Sequence, residues 1–169
     1  HADGLGIYGH DGISFYTSQL ERARILSSGG ITFNGDTATA NALDDYEEGT
    51  WTPTLPSGGS ITIYTATYTK VGRKVTAYCY VGATPTNDNY IFYIGGLPYT
   101  APNNSNYYAG GSLSYSGSEN TSSLGSPLVL YNNTVIYFHY LTGSGVQVKN
   151  NQFGGRTVPM ILQVHYDAA

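Results

Sequence analysis

With 169 residues, 11% of them charged and a net charge of −4, the chain suits one domain plus an appendage. It lacks the basic footprint that nucleic-acid binding requires, and no run of 18 apolar residues offers a membrane-inserting helix. Abundant aromatics, including 17 tyrosines, oppose disorder, and scarce Glu, Lys and Leu beside plentiful Tyr, Thr, Val and Ile predict an all-β fold.

The chain begins at His1 rather than Met and shows no signal-peptide pattern, so a fragment or processed product is expected. Residues 1–30 hold three short strand-like runs, Gly6-Ile7-Tyr8, 13–17 and 22–26, punctuated by glycines at 4, 6, 9, 12, 29 and 30. Ile13 and Phe15 alternate onto one strand face, and Ala23 and Ile25 onto another. A segment of roughly forty residues this thin in apolar content is at the limit for folding alone. Ile13, Phe15, Ile25, Ile31 and Phe33 therefore need a cover, from sister copies wound about a common axis or from the later domain.

The organising stretch is 31–55. Asn34-Gly35 is a strong two-residue turn signal, because both central positions want positive φ. Four acids, Asp44, Asp45, Glu47 and Glu48, precede Gly49 and the single tryptophan, Trp51. Charge, a glycine hinge and a large aromatic in succession mark a junction between two architectures.

Glu21-Arg22-Ala23-Arg24-Ile25-Leu26-Ser27-Ser28-Gly29-Gly30 resembles the E-R-M-R-I-x-S-S-G element of many bacteriophage tail-fibre and tail-spike shafts. The following ITFNGDTATANALDDYEEGTWTPTL resembles the segment leading into their C-terminal head domains. Tyr68-Thr69-Lys70-Val71-Gly72-Arg73-Lys74-Val75 and Gly95-Gly96-Leu97-Pro98 fit too. The match is specific over 21–82 and looser beyond, and Ala23 replaces the usual bulkier apolar residue. The resemblance implies a homotrimeric shaft segment over 1–43, with Ile13, Phe15, Ile25, Ile31 and Phe33 as trimer contacts, and a β-rich head over 44–169. It places the protein in the virion, as an extracellular tail fibre beside other tail proteins.

After residue 51, strand candidates follow at the spacing of a sandwich or barrel. Residues 60–69 alternate Ile61, Ile63, Thr65 and Thr67 against Thr62, Tyr64, Ala66 and Tyr68, and 74–82 is the cleanest run. There the only cysteine, Cys79, shares a face with Val75, Ala77 and Val81. It rules out an intramolecular disulfide and reads as a small buried hydrophobe. Further runs are 90–94, 107–116 (Tyr107, Ala109, Gly111, Leu113 and Tyr115 on one face), 127–131, 134–141, 145–149 and 158–166. Asn132-Asn133 is read as a hairpin turn. About eight strands predict an antiparallel β-sandwich, jelly-roll-like, with a β-barrel as the alternative. Loops 56–60, 83–89, 95–106, 116–126 and 150–157 are where function would sit.

Catalytic signals are weak. The acid cluster reads as a solvated connector before a cation site or a glycosidase pair, since calcium's spaced pattern is missing. His1, His10, His139 and His165 form no metal motif, and His139 and His165 read as half-buried strand residues. No nucleophile elbow or phosphate loop is present; Gly110-Gly111-Ser112 and Gly143-Ser144-Gly145 read as loop or strand glycines. The sequons at Asn103, Asn120 and Asn132 are expected by chance. No enzyme activity, metal or cofactor is predicted.

Tyrosines and amides remain. Asn87, Asp88, Asn89, Tyr90, Tyr93, Tyr99, Asn103, Asn104, Asn106, Tyr107 and Tyr108, with Tyr115, offer flat apolar faces and hydroxyl-matching polar groups, the chemistry of a saccharide surface. The bland alternative is structural use, since strands favour Tyr and turns favour Asn. A shallow sugar site of about millimolar affinity would gain roughly 10²–10⁴ from linked copies, which ties shaft to head. Neutral glycans suit an acidic protein better than polyanions. The expected function is attachment to a host-surface saccharide or receptor; the alternatives are a purely structural fibre or capsid-decoration module and a polysaccharide-cleaving tailspike fragment.

Overall fold

The computed structural model describes residues 6–116, 125–140 and 146–169. His1, Gly4, the Asn120 sequon with most of the 116–126 loop, Leu141 and Gly143-Ser144-Gly145 lie outside the described residues, as does the side chain of Tyr115. The chain divides into two compact units, His1–Tyr46 and Glu47–Ala169.

The first unit is a three-stranded antiparallel sheet of β1 (Gly12–Thr17), β2 (Leu20–Leu26) and β3 (Ile31–Phe33), in that order. Ser18 (φ 50°) and Gln19 (φ 64°) make the β1–β2 turn, matching the twist that two left-handed residues give a hairpin. Pairing aligns Ile13 with Ile25 and Ile31, and Phe15 with Ala23 and Phe33. Directly opposed residues share a face, so all five apolar candidates lie on one side of this sheet. Phe15 and Phe33 are about half exposed, at 49% and 55%. Asn34 (φ 55°) and Gly35 (φ 78°) form the expected turn, closed by the Asp36 amide donating to the Phe33 carbonyl at 3.2 Å. Gly6-Ile7-Tyr8 is not a strand; two side chains between glycines have nothing to bury, and Tyr8 is 95% exposed.

The second unit bears out the all-β sandwich-or-barrel expectation. Its strands are β4 (Tyr46–Thr50), β5 (Gly59–Val71), β6 (Lys74–Pro85), β7 (Tyr93–Ile94), β8 (Tyr108–Ser116), β9 (Ser126–Leu130), β10 (Ile136–His139) and β11 (Val158–Asp167). They form one eight-stranded sheet, β4-β5-β6-β11-β8-β9-β10-β7, curled into a half-barrel. The segment after β4 joins the sheet's two ends. The Trp51 amide donates to the Ala66 carbonyl on β5 (3.3 Å), and Thr54 exchanges both backbone bonds with Gly95, beside β7 (2.9 and 3.0 Å).

The core fills the inside of the curl. β6 contributes Val75, Ala77, Cys79, Val81 and Ala83, every second residue, and β11 contributes Val158, Met160, Leu162, Val164 and Tyr166. Phe92 and Phe138 join them with rings 5.3 Å apart. Burial pushes the Cys79 thiol up to about 12, as desolvation of a thiolate requires. His139 is half-buried in β10 as expected, whereas His165 lies in β11 but is exposed, on the face opposite the buried Val164 and Tyr166.

Four elements differ from expectation. β5 carries a bulge between Ile63 and Thr65, which moves the inward positions from odd to even numbers: Ile61 packs against the core, then Ala66 and Tyr68. The run 90–94 contracts to Tyr93–Ile94, with Ile91 instead bridging Lys149. Asn132-Asn133 lies within a longer β9–β10 connection in which only Asn132 is left-handed (φ 48°). In place of a strand over 145–149, single bridges form at Gln147 and Lys149.

Candidate functional site

Three of the loops rich in small polar residues converge. Loop 56–58, loop 86–91 and the 3-10 turn Asn150–Phe153 meet where β5, β6 and β7 begin or end. Asp88 shapes the middle loop: its Oδ1 accepts the Tyr90 amide (3.0 Å) and its Oδ2 accepts the Thr86 hydroxyl (2.5 Å). This is the side-chain-to-backbone turn that Asp favours. Asn150, fully buried, ties the loops together. Its Nδ2 donates to the Ser57 carbonyl (2.8 Å), Asp88 Oδ1 (2.9 Å) and Thr86 Oγ1 (3.2 Å). Backbone bonds from Asn150 to Tyr90 O (2.9 Å) and from Asn151 to Asp88 O (2.8 Å) complete the junction.

This junction leaves a cleft of about 440 Å³ lined by Pro56, Ser57, Gly58, Thr86, Asp88, Tyr90, Ile91 and Tyr93. That volume falls in the range of small-molecule sites, and so does the mixture of apolar walls with a few fixed polar groups. Tyr90 is 71% exposed, and Tyr93 leans on Tyr137 with ring centroids 5.5 Å apart. The Thr86 hydroxyl, followed by the Tyr90 amide and the Asn150 amide, holds the Asp88 carboxyl below the usual carboxylate range. The cleft therefore carries one settled negative charge at neutral pH.

Of the candidates, Asp88, Tyr90 and Tyr93 line this cleft. Asn89 stands beside it, accepting from Lys149 Nζ and Asn151 Nδ2 at 3.3 Å each, and Asn87 is exposed on the same loop. The others lie elsewhere. Tyr99 donates to Glu47 Oε2 (2.5 Å), a bond that raises its phenol well above the ordinary tyrosine value, and its ring packs edge-on against Tyr68. The Tyr107 hydroxyl accepts the Asp167 amide. Asn104 turns its own loop by accepting the Asn106 amide at 3.0 Å, while Asn103, Asn106 and Tyr108 are exposed.

Ser57, Thr86 and Asn150 were not singled out in the sequence. Their only signal was membership of, or adjacency to, the small-residue loops. Of the acid cluster, Glu47 is part of β4 and pairs with the buried Lys70 (3.3 Å), which sits 5.3 Å from the Tyr99 ring. Among the described residues, no group of three or more His, Cys, Asp or Glu is placed to hold a metal, and no helix is long and apolar enough to cross a membrane.

No family model, no curated protein and no solved structure matches the chain. The site must be read from its own chemistry.

Proposed function

We propose that this chain is the distal part of a phage tail fibre, and that its second unit attaches the virion to a saccharide on the host surface. One observation carries the reading: the cleft that unites Tyr90, Tyr93 and Asp88. Aromatic faces pack against the C–H surfaces of a sugar ring, and a carboxylate with small hydroxyls accepts from its hydroxyl groups. The resemblance of 21–30 to tail-fibre shafts, and of the following 31–55 to the segment leading into their head domains, supplies the biological setting.

Assembly as a homotrimer belongs to the same proposal. Its support is the single apolar face formed by Ile13, Phe15, Ile25, Ile31 and Phe33, on which Phe15 and Phe33 are half exposed. Three copies would give three weak sites the gain of simultaneous engagement. Sedimentation equilibrium should return three times the 18.1 kDa chain mass; a stable monomer refutes the trimer.

A purely structural module is the second reading, favoured by the internal use of Tyr99 and Tyr107. A glycan array and whole-cell binding separate the two. Saturable binding to cells and to at least one surface glycan supports attachment; no binding to either supports the structural module. A polysaccharide-cleaving role would require a pair of acids facing one groove, whereas the cleft lining holds the single acid Asp88, and Glu47 is engaged with Lys70 and Tyr99.

A further inference from the structure

The polarity of the cleft goes further than its shape. The Asn150 amide has two N–H protons and faces three acceptors, the Ser57 carbonyl, Asp88 Oδ1 and Thr86 Oγ1. Turning the amide over would set its oxygen against a carbonyl and a carboxylate, so its orientation is fixed. Thr86 in turn spends its single proton on Asp88 Oδ2. Its oxygen is left with acceptor capacity only, and an ionised carboxylate has nothing to donate. The donors on the lining are the phenols of Tyr90 and Tyr93 and the hydroxyl of Ser57, which is 8% exposed and has no partner among the described residues; the one charged lining group is Asp88. The lining contains no Lys, Arg or His, and Lys149, on the adjoining segment, is engaged with Asn89.

We infer that the Tyr90 cleft takes a neutral, polyhydroxylated ring of the hexopyranose class and rejects acidic sugars. The inference rests on the saccharide reading above and adds the selectivity. At the Asp88–Thr86 side of the cleft a ligand must bring donors. Sugar hydroxyls bring one each, whereas a carboxylate, sulfate or phosphate brings only acceptors and a charge of the same sign as Asp88. Such a group would meet the Asp88 charge and the Thr86 acceptor with no cation among the lining residues to receive it, which is how like charge enforces discrimination. Tyr90 and Ile91 supply the apolar face for the ring's C–H side. Asn150 is a positioning residue that fixes the acceptor polarity through Thr86 and Asp88 without being part of the lining.

The test is ligand-observed NMR titration of the full chain with methyl glycosides of glucose, galactose and mannose and with the matching uronic acids. Tyr90→Ala and Asp88→Asn are run beside the wild type, and their folding is checked by circular dichroism. At least one neutral glycoside should bind saturably, with its uronate tenfold or more weaker. Tyr90→Ala should weaken the neutral sugar tenfold or more. Asp88→Asn should shrink the gap between neutral and acidic forms by about tenfold while the fold is retained. If uronates bind as well as neutral sugars, the selectivity is overturned while the saccharide reading stands. If neither sugar type binds yet the protein still binds cells, the cleft is not the receptor site. If neither sugars nor cells are bound, both readings fall.

Discussion

Asn150→Ala is the perturbation on which the loop junction depends most. The wild-type amide is fully buried and donates to a charged carboxylate, a backbone carbonyl and a hydroxyl. A bond to a charged group contributes roughly 1.5–3 kcal/mol and one to a neutral acceptor roughly 0.5–1.5, and an acceptor left without a partner costs more. Against this, the substitution also removes Asn150 Oδ1, which has no partner among the described residues, so part of the loss is recovered. The net expectation is a destabilisation of about 3 kcal/mol, or a fall of about 6–12 °C in Tm for a chain of this size. Asn150→Asp should cost more, because it adds a second carboxylate beside Asp88. Urea unfolding followed by Trp51 fluorescence is the assay, since this single tryptophan is buried and its Nε1 donates to the Tyr78 carbonyl at 3.0 Å. An alanine variant within 0.5 kcal/mol of wild type, or an aspartate variant as stable as wild type, would refute the reasoning.

Other consequences are simpler to test. Cys79 is completely buried and its thiol is pushed up to about 12. A thiol reagent at pH 8 should therefore leave the native protein unmodified and label it fully in 8 M urea; rapid native labelling contradicts the packing. The same raised value means that the neutral thiol's contribution is complete below about pH 8.5 and lost as pH rises from there towards 12, so Cys79→Ala should flatten the alkaline fall in urea midpoint. Asp88 has the opposite sign. Its carboxyl is held low in the fold, so its contribution is present at neutral pH and declines as pH falls through about 4, and Asp88→Asn should lose less stability on acidification than wild type. Gly96 has φ 89°, and a Cβ there would lie 2.2 Å from the Thr52 carbonyl oxygen. Gly96→Ala should cost about 2 kcal/mol or more from the left-handed backbone and the clash together; a neutral effect would contradict the seam that Thr54 and Gly95 form.

The strands were legible where chemistry alternates sharply. Residues 75–83 place small apolar side chains at every second position, and β6 buries that row. β5 was harder, because its threonines satisfy either face and the bulge at Tyr64 reverses the alternation midway. β4 was hidden by its glutamates, which look like a solvated connector until Lys70 and Tyr99, some 23 and 52 residues on, are brought against Glu47. The site was half legible. Tyr90, Tyr93 and Asp88 stood out by type, but Asn150 lies 62 residues from Asp88 and 93 from Ser57, and no local pattern marks such a partner. Tyr99 and Tyr107 looked equivalent to Tyr90 because composition does not distinguish a hydroxyl that anchors the fold from one that meets solvent.

The central claim is that the Tyr90 cleft, rather than another tyrosine surface, makes the host contact. It is tested most directly by comparing wild type, Tyr90→Ala and Tyr108→Ala in binding to a panel of bacterial strains. Both tyrosines are exposed, at 71% and 61%, so neither change should disturb folding. The expected result is a tenfold or greater loss of binding for Tyr90→Ala with Tyr108→Ala unchanged. Full binding by Tyr90→Ala, or loss only in Tyr108→Ala, would contradict the claim.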